Sequence, residues 1–72
     1  MKVLITGANG MLGEKCACRL NKKHQIFASD VHEALQYDCP VEYFQLDITE
    51  GDQAKQVVKE VEPDFIINCA AY

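Results

Sequence analysis

The stretch Thr6-Gly7-Ala8-Asn9-Gly10-Met11-Leu12-Gly13 stands directly between the apolar run Val3-Leu4-Ile5 and a segment with helical periodicity. This placement narrows what the chain can become more than any other feature in it. A strand that turns through glycines straight into a helix opens a βαβ unit. The start of that helix carries backbone amides with no carbonyl to bond, together with the positive end of the helix dipole. Each glycine has its own task. Gly7 permits the tight turn off the strand, Gly10 lets a ligand approach the backbone where a Cβ would stand, and Gly13 lets the helix lie close on the strand. The ligand suited to such a loop is the pyrophosphate of a dinucleotide. A glycine-rich turn without a ligand has the same letters, so the weight comes from the strand before it and the helix after it.

The remainder of the chain supplies that context. Leu12, Gly13, Cys16, Ala17 and Leu20 recur at spacings of three and four, with Glu14, Lys15, Arg19 and Lys22 off that face. Ala54, Val57, Val58 and Val61 repeat the stripe. Thr49 is positioned to cap this second helix with Asp52 three residues on, and Pro63 marks its end. Residues 25–29 and 42–46 read as a second and a third strand. Phe65-Ile66-Ile67 is a fourth, an unbroken apolar run of the kind covered on both faces in a parallel sheet. Residues 31–40 lack periodicity and contain Pro40, which favours a loop with a short helix. The expected fold is α/β: the N-terminal part of a doubly wound parallel sheet with about four strands in the order 3-2-1-4 and helices on both faces. Ligands of such sheets bind at the carboxyl ends of the strands, here between the first and fourth.

Composition excludes several classes. A net charge of −4 argues against a nucleic-acid partner, and Lys22, Lys23 and His24 form the only basic cluster, suited to a solvated helix end. No apolar run approaches the roughly 20 residues of a membrane span, and the start is unlike a signal peptide, so a cytoplasmic location is expected. Cys16, Cys18, Cys39 and Cys69 have no metal-site spacing and read as free thiols. With 72 residues the chain holds one small domain at most.

Asp30 ends the second strand, 23 residues after Gly7, where a carboxylate can accept hydrogen bonds from the adenosine ribose hydroxyls of NAD. A carboxylate there repels a 2′-phosphate, whereas His32 two residues on softens that preference. The cofactor is therefore read as NADP or NAD. Asp47 either accepts from an adenine amino group, with Ile48 against the ring, or helps to start the next helix. The small residues after Asn68 leave room for a ribose and pyrophosphate, or simply pack closely.

The T-G-x-x-G-x-x-G loop, with Ser29-Asp30-Val31-His32, Leu46-Asp47-Ile48-Thr49 and the ending Asn68-Cys69-Ala70-Ala71-Tyr72, resembles the extended short-chain dehydrogenase/reductases. Within that group the chain is similar to the dTDP-4-dehydrorhamnose reductase family, over the whole chain but only that family's first quarter or so. The resemblance implies a Rossmann domain in which Gly10, Met11 and Leu12 touch the pyrophosphate of NADPH or NADH. Asp30 would meet the adenosine ribose, Asp47 and Ile48 the adenine, and Ala70, Ala71 and Tyr72 would line the path to the nicotinamide. It also implies reduction of a nucleotide-linked keto-sugar, by a Tyr-x-x-x-Lys pair and a Ser or Thr that residues 1–72 do not contain. Tyr37 and Tyr43 are followed four positions on by Val41 and Asp47, and Tyr72 is the last residue. The expectation is a partial NAD(P)-binding domain over residues 1–72, from a truncated product without its substrate-binding portion. Its fourth strand would be an open edge prone to self-association. A non-catalytic nucleotide-binding or regulatory subunit, or part of a sugar-nucleotide epimerase or dehydratase, is the alternative reading.

Overall fold

The computed structural model of the chain describes residues 1–47 and 49–69. Its elements run β1 (Lys2–Thr6), α1 (Met11–Leu20), β2 (Gln25–Asp30), β3 (Glu42–Gln45), α2 (Gly51–Val61) and β4 (Phe65–Asn68). The four strands form one parallel sheet in the order β3-β2-β1-β4. This is the order expected from the sequence, with β1 central and the chain reversing its direction of travel between β1 and β4.

Alternation along the strands assigns the two faces. Val3 and Ile5 of β1, with Ile26 and Ala28 of β2, pack with Ala17 of α1. Leu4 and Phe27, the residues between them, turn to the other face and pack with Leu46 and with Val57 and Val61 of α2. The two helices therefore cover opposite faces. Leu4 and Ile5 are almost fully enclosed; burying an aliphatic side chain of that size contributes about 1.5–3 kcal/mol. Phe27 and Phe44 stack with centroids 6.2 Å apart on the α2 side.

Several local expectations change. The second strand runs one residue further, to Asp30, and the third stops at Gln45. Residues 31–40 contain no helix. Leu35 and Tyr37 instead point into the α1-side cluster at a two-residue spacing, which an extended segment allows and a helix does not. Thr49 does not cap α2. Glu50 occupies the cap position without a side-chain hydrogen bond, and the Thr49 hydroxyl donates to Asp47. Helix α2 ends at Val61, followed by Glu62 in a left-handed conformation (φ 50) whose amide closes onto the Val58 carbonyl.

The helical stripes are also narrower than their periodicity suggests. Leu12 and Val58 are exposed. Each successive residue turns about 100° around a helix; the contact line of α1 runs through Gly13 and Ala17, and that of α2 through Val57 and Val61. Strand β4 is not covered on both faces, since Phe65 and Ile66 are 57% and 54% exposed. Among the described residues β4 pairs only with β1, so its outer edge is open. No helix among the described residues is long and apolar enough to cross a membrane.

Candidate functional site

Parallel pairing brings the carboxyl ends of all four strands to one edge of the sheet, and with them Thr6, Asp30, Gln45 and Asn68. From Thr6 the chain turns at Gly7, whose φ of 70 is the left-handed conformation that glycine adopts without steric cost. The Ala8 amide donates to the Ser29 carbonyl (2.9 Å), which fastens the start of the loop to β2. Helix α1 then begins after Gly10, which has extended backbone angles and no side-chain cap.

The other two glycines serve different ends. A Cβ on Gly13 would lie 2.6 Å from both the Ala8 Cα and the Gly7 carbonyl oxygen, so backbone packs directly on backbone there. Gly10 is exposed, and a Cβ on it would meet only the Gly7 carbonyl oxygen at 3.4 Å, an ordinary contact. Neither its backbone angles nor its surroundings require glycine. What the missing side chain leaves is an unobstructed approach to the first turn of α1, where the amides of Met11, Leu12 and Gly13 have no preceding helical carbonyl to bond. Met11 and Leu12 are 78% and 62% exposed beside it.

Asp30 lies next to this loop and is already engaged with it. One carboxylate oxygen accepts the Asn9 amide (2.9 Å) and the other the Val31 amide (2.7 Å). The carboxylate is thus fixed in direction, with lone pairs left on each oxygen. Asn9, which the glycine pattern leaves as an unspecified position, forms more contacts than any glycine in the loop. Its Oδ1 accepts the Gln36 amide (2.9 Å), and its Nδ2 donates to the Ala34 carbonyl (3.2 Å) and the Tyr43 hydroxyl (3.4 Å). A hydrogen-bonding side chain between two glycines was the one sequence signal that pointed to it.

Beyond β3, Asp47 closes a turn. Its Oδ1 accepts both the amide (3.0 Å) and the hydroxyl (2.6 Å) of Thr49. These two bonds hold its carboxyl below the ordinary carboxylate range. The turn lies ahead of the cap position of α2, and Asp47 also lines an open polar pocket of about 540 Å³ with Val31, Gln45 and Gln53. At the β1–β4 junction the Thr6 hydroxyl donates to Asn68 Oδ1 (2.9 Å), and the Cys69 amide donates to the Thr6 carbonyl (2.8 Å). Ile48, Ala70, Ala71 and Tyr72 lie outside the described residues. Gly7, Gly10, Met11, Leu12, Gly13, Asp30 and Asp47 therefore share one edge. It consists of an amide-presenting loop, a fixed carboxylate and a polar pocket beyond it.

Comparison with known proteins matches residues 1–72 to the family model described as RmlD substrate binding domain. A probable low-salt glycan biosynthesis reductase of Haloferax volcanii is 37% identical over 100% of this chain and 24% of its own length. The dTDP-4-dehydrorhamnose reductase of Aggregatibacter actinomycetemcomitans is 36% identical over 99% of this chain and 21% of its own. In fold, the chain superimposes with a TM-score of 0.81 on a dTDP-glucose 4,6-dehydratase of Bacillus anthracis, solved in complex with NAD. That match has 21% identity and covers 100% of this chain and 27% of the dehydratase. The chain spans less than a quarter of the length of the two reductases.

Proposed function

The chain belongs to the RmlD substrate binding domain family, and from that premise we propose that residues 1–72 form the NAD(P)-binding portion of a sugar-nucleotide reductase. The observation that carries the reading is the open approach at Gly10. A position free of side chain, with no internal need to be so, stands before the uncapped first turn of α1. A pyrophosphate there would receive the amides of Met11, Leu12 and Gly13, the Gly10 amide being bonded to the Gly7 carbonyl, and lie at the positive end of the helix dipole. Gly7 and Gly13 set the loop's path.

Asp30 would accept hydrogen bonds from the adenosine ribose, and its neighbours would set whether NAD or NADP is taken. The pocket beside Asp47 would receive the adenine, with Ile48 against it. Ala70, Ala71 and Tyr72, which follow β4, would border the nicotinamide half. The reductases above supply the reaction class, and the Bacillus dehydratase, which binds NAD, supplies the cofactor class. When bound, the cofactor supplies a hydride. This portion of the chain binds and orients it, and contributes no proton donor to the sugar.

Calorimetry with NAD and NADP tests the proposal on the parent chain and on Gly10→Ala. The parent should bind at least one dinucleotide at sub-millimolar concentration. Gly10→Ala should weaken whichever binds by about tenfold or more, on the order of one hydrogen bond to a charged group, with its melting temperature unchanged. Asp30→Ala should weaken NAD more than NADP by about 1–2 kcal/mol. A parent chain that binds neither cofactor at millimolar concentration removes the proposal.

A further inference from the structure

Residues 31–36 follow β2 without forming helix or strand, yet they are held from three directions. Gln45 Nε2 donates to the Val31 carbonyl (3.1 Å) and the Tyr43 hydroxyl to the His32 carbonyl (2.7 Å). Asn9 takes the other end through the Ala34 carbonyl and the Gln36 amide. Asn9 thus links three things: the glycine loop to which it belongs, the Asp30 carboxylate through its own amide, and the segment that leaves β2. Its Nδ2 also lies within hydrogen-bonding distance of the Tyr43 hydroxyl, so the two anchors of the segment touch each other.

We infer that Asn9, supported by Tyr43, is a positioning residue for cofactor discrimination, fixing residues 31–36 as a stiff wall beside the Asp30 carboxylate. The inference rests on the dinucleotide reading above and adds what selects between the two dinucleotides. A ribose bearing a 2′-phosphate would meet Asp30 at close range. It could be accepted if the carboxylate swung away or if the following segment moved to offer a cation. Both routes are closed. Asp30 is held at both oxygens by backbone amides, and the segment contains no Lys or Arg, only His32 beside the acidic Glu33. While Asn9 holds the wall, the site favours the dinucleotide without the 2′-phosphate. Without the Asn9 side chain, Ala34 and Gln36 lose their anchor and the segment can yield to the larger ligand.

The test is the ratio of NAD to NADP affinity, measured by calorimetry for the parent chain, Asn9→Ala and Tyr43→Phe. The parent should prefer NAD. Asn9→Ala should reduce that preference by about three- to tenfold, the scale of one or two lost hydrogen bonds, chiefly by strengthening NADP. Tyr43→Phe keeps the ring and removes only the hydroxyl, so it should shift the ratio in the same direction even if Asn9→Ala folds poorly. Equal weakening of both cofactors would mean that Asn9 merely supports the fold and would overturn the inference. A parent that prefers NADP would overturn it while leaving the dinucleotide reading intact. A parent that binds neither would remove both.

Discussion

A methyl group added at Gly13 would fall within 2.6 Å of two backbone atoms that have no freedom to retreat, because Ala8 is itself tied to β2. Gly13→Ala should therefore cost about 1–3 kcal/mol, the range found when extra carbon is forced into a packed site. Gly10→Ala should stay within about 0.5 kcal/mol of the parent. Urea unfolding of the two variants checks the contrast, and equal losses would contradict the division of tasks among the glycines. That division was legible from spacing alone, since Gly7 and Gly13 do in the structure what their places in the pattern require. Asn9 was not. A pattern records where side chains must be missing, and Asn9 acts through a side chain whose partners lie 25 to 34 residues further along. Asp30 was found by its distance from the loop, but its grip on the Asn9 amide depends on how β2 aligns with β1.

At the scale of elements, all four strands and both helices could be read from hydrophobic period, and so could their order in the sheet. The segment between β2 and β3 could not. Its buried residues are few, and tertiary contacts rather than periodicity decide its path. Leu35, Tyr37 and Val41 pack on the α1 side without repeating any regular interval long enough to register. Thr49 misled for a related reason: its hydroxyl donates to the nearby Asp47 carboxylate, a local side-chain bond that periodicity does not register, and the cap position falls to Glu50. The Tyr37 hydroxyl is buried there with no hydrogen-bond partner among the described residues, and its pKa is pushed up to about 12 by burial, with Cys18, Cys39, Glu14 and Asp30 adding negative potential. A tyrosine in the unfolded chain ionises near pH 10. The proton is therefore held more tightly in the folded state. Its contribution to stability is complete below about pH 10 and lost as pH rises toward about 12. Melting temperatures of the parent should fall across that interval. Tyr37→Phe should fall less steeply and be no less stable at neutral pH, since it also removes an unpaired buried donor. A parallel decline in both proteins would assign the alkaline loss elsewhere.

For the molecule as a whole, the dominant feature is the unequal treatment of the sheet's two margins. β3 carries Tyr43 and Gln45, which hydrogen-bond to His32 and Val31 in the segment that precedes it, while β4, of the same length, has Phe65 and Ile66 exposed and no strand on its outer edge among the described residues. Next to them lies an apolar groove of about 280 Å³ that also involves Met1, Leu20 and His24. A flat apolar edge of this kind templates pairing with another strand. We expect the 72-residue chain to self-associate through β4, with sedimentation showing average mass rising with concentration. Ile66→Lys should restore the monomer, because a charged side chain on an edge strand opposes further pairing. A parent that remains monomeric at high concentration would refute this.

The union of β1 with β4 also has a consequence for the order of events during synthesis. The Lys2 amide reaches Asp64 across 62 positions, and the Thr6 hydroxyl reaches Asn68 across the same span. Of these four strands, the first to leave the ribosome is thus the one whose second flank is completed last. Until residue 68 emerges, the segment destined for the centre of the sheet has a neighbour on one side only. At a translation rate of about 5–20 residues per second, that interval lasts several seconds. A nascent chain meeting a binding factor in that time would offer it Val3, Leu4 and Ile5, all buried in the folded chain.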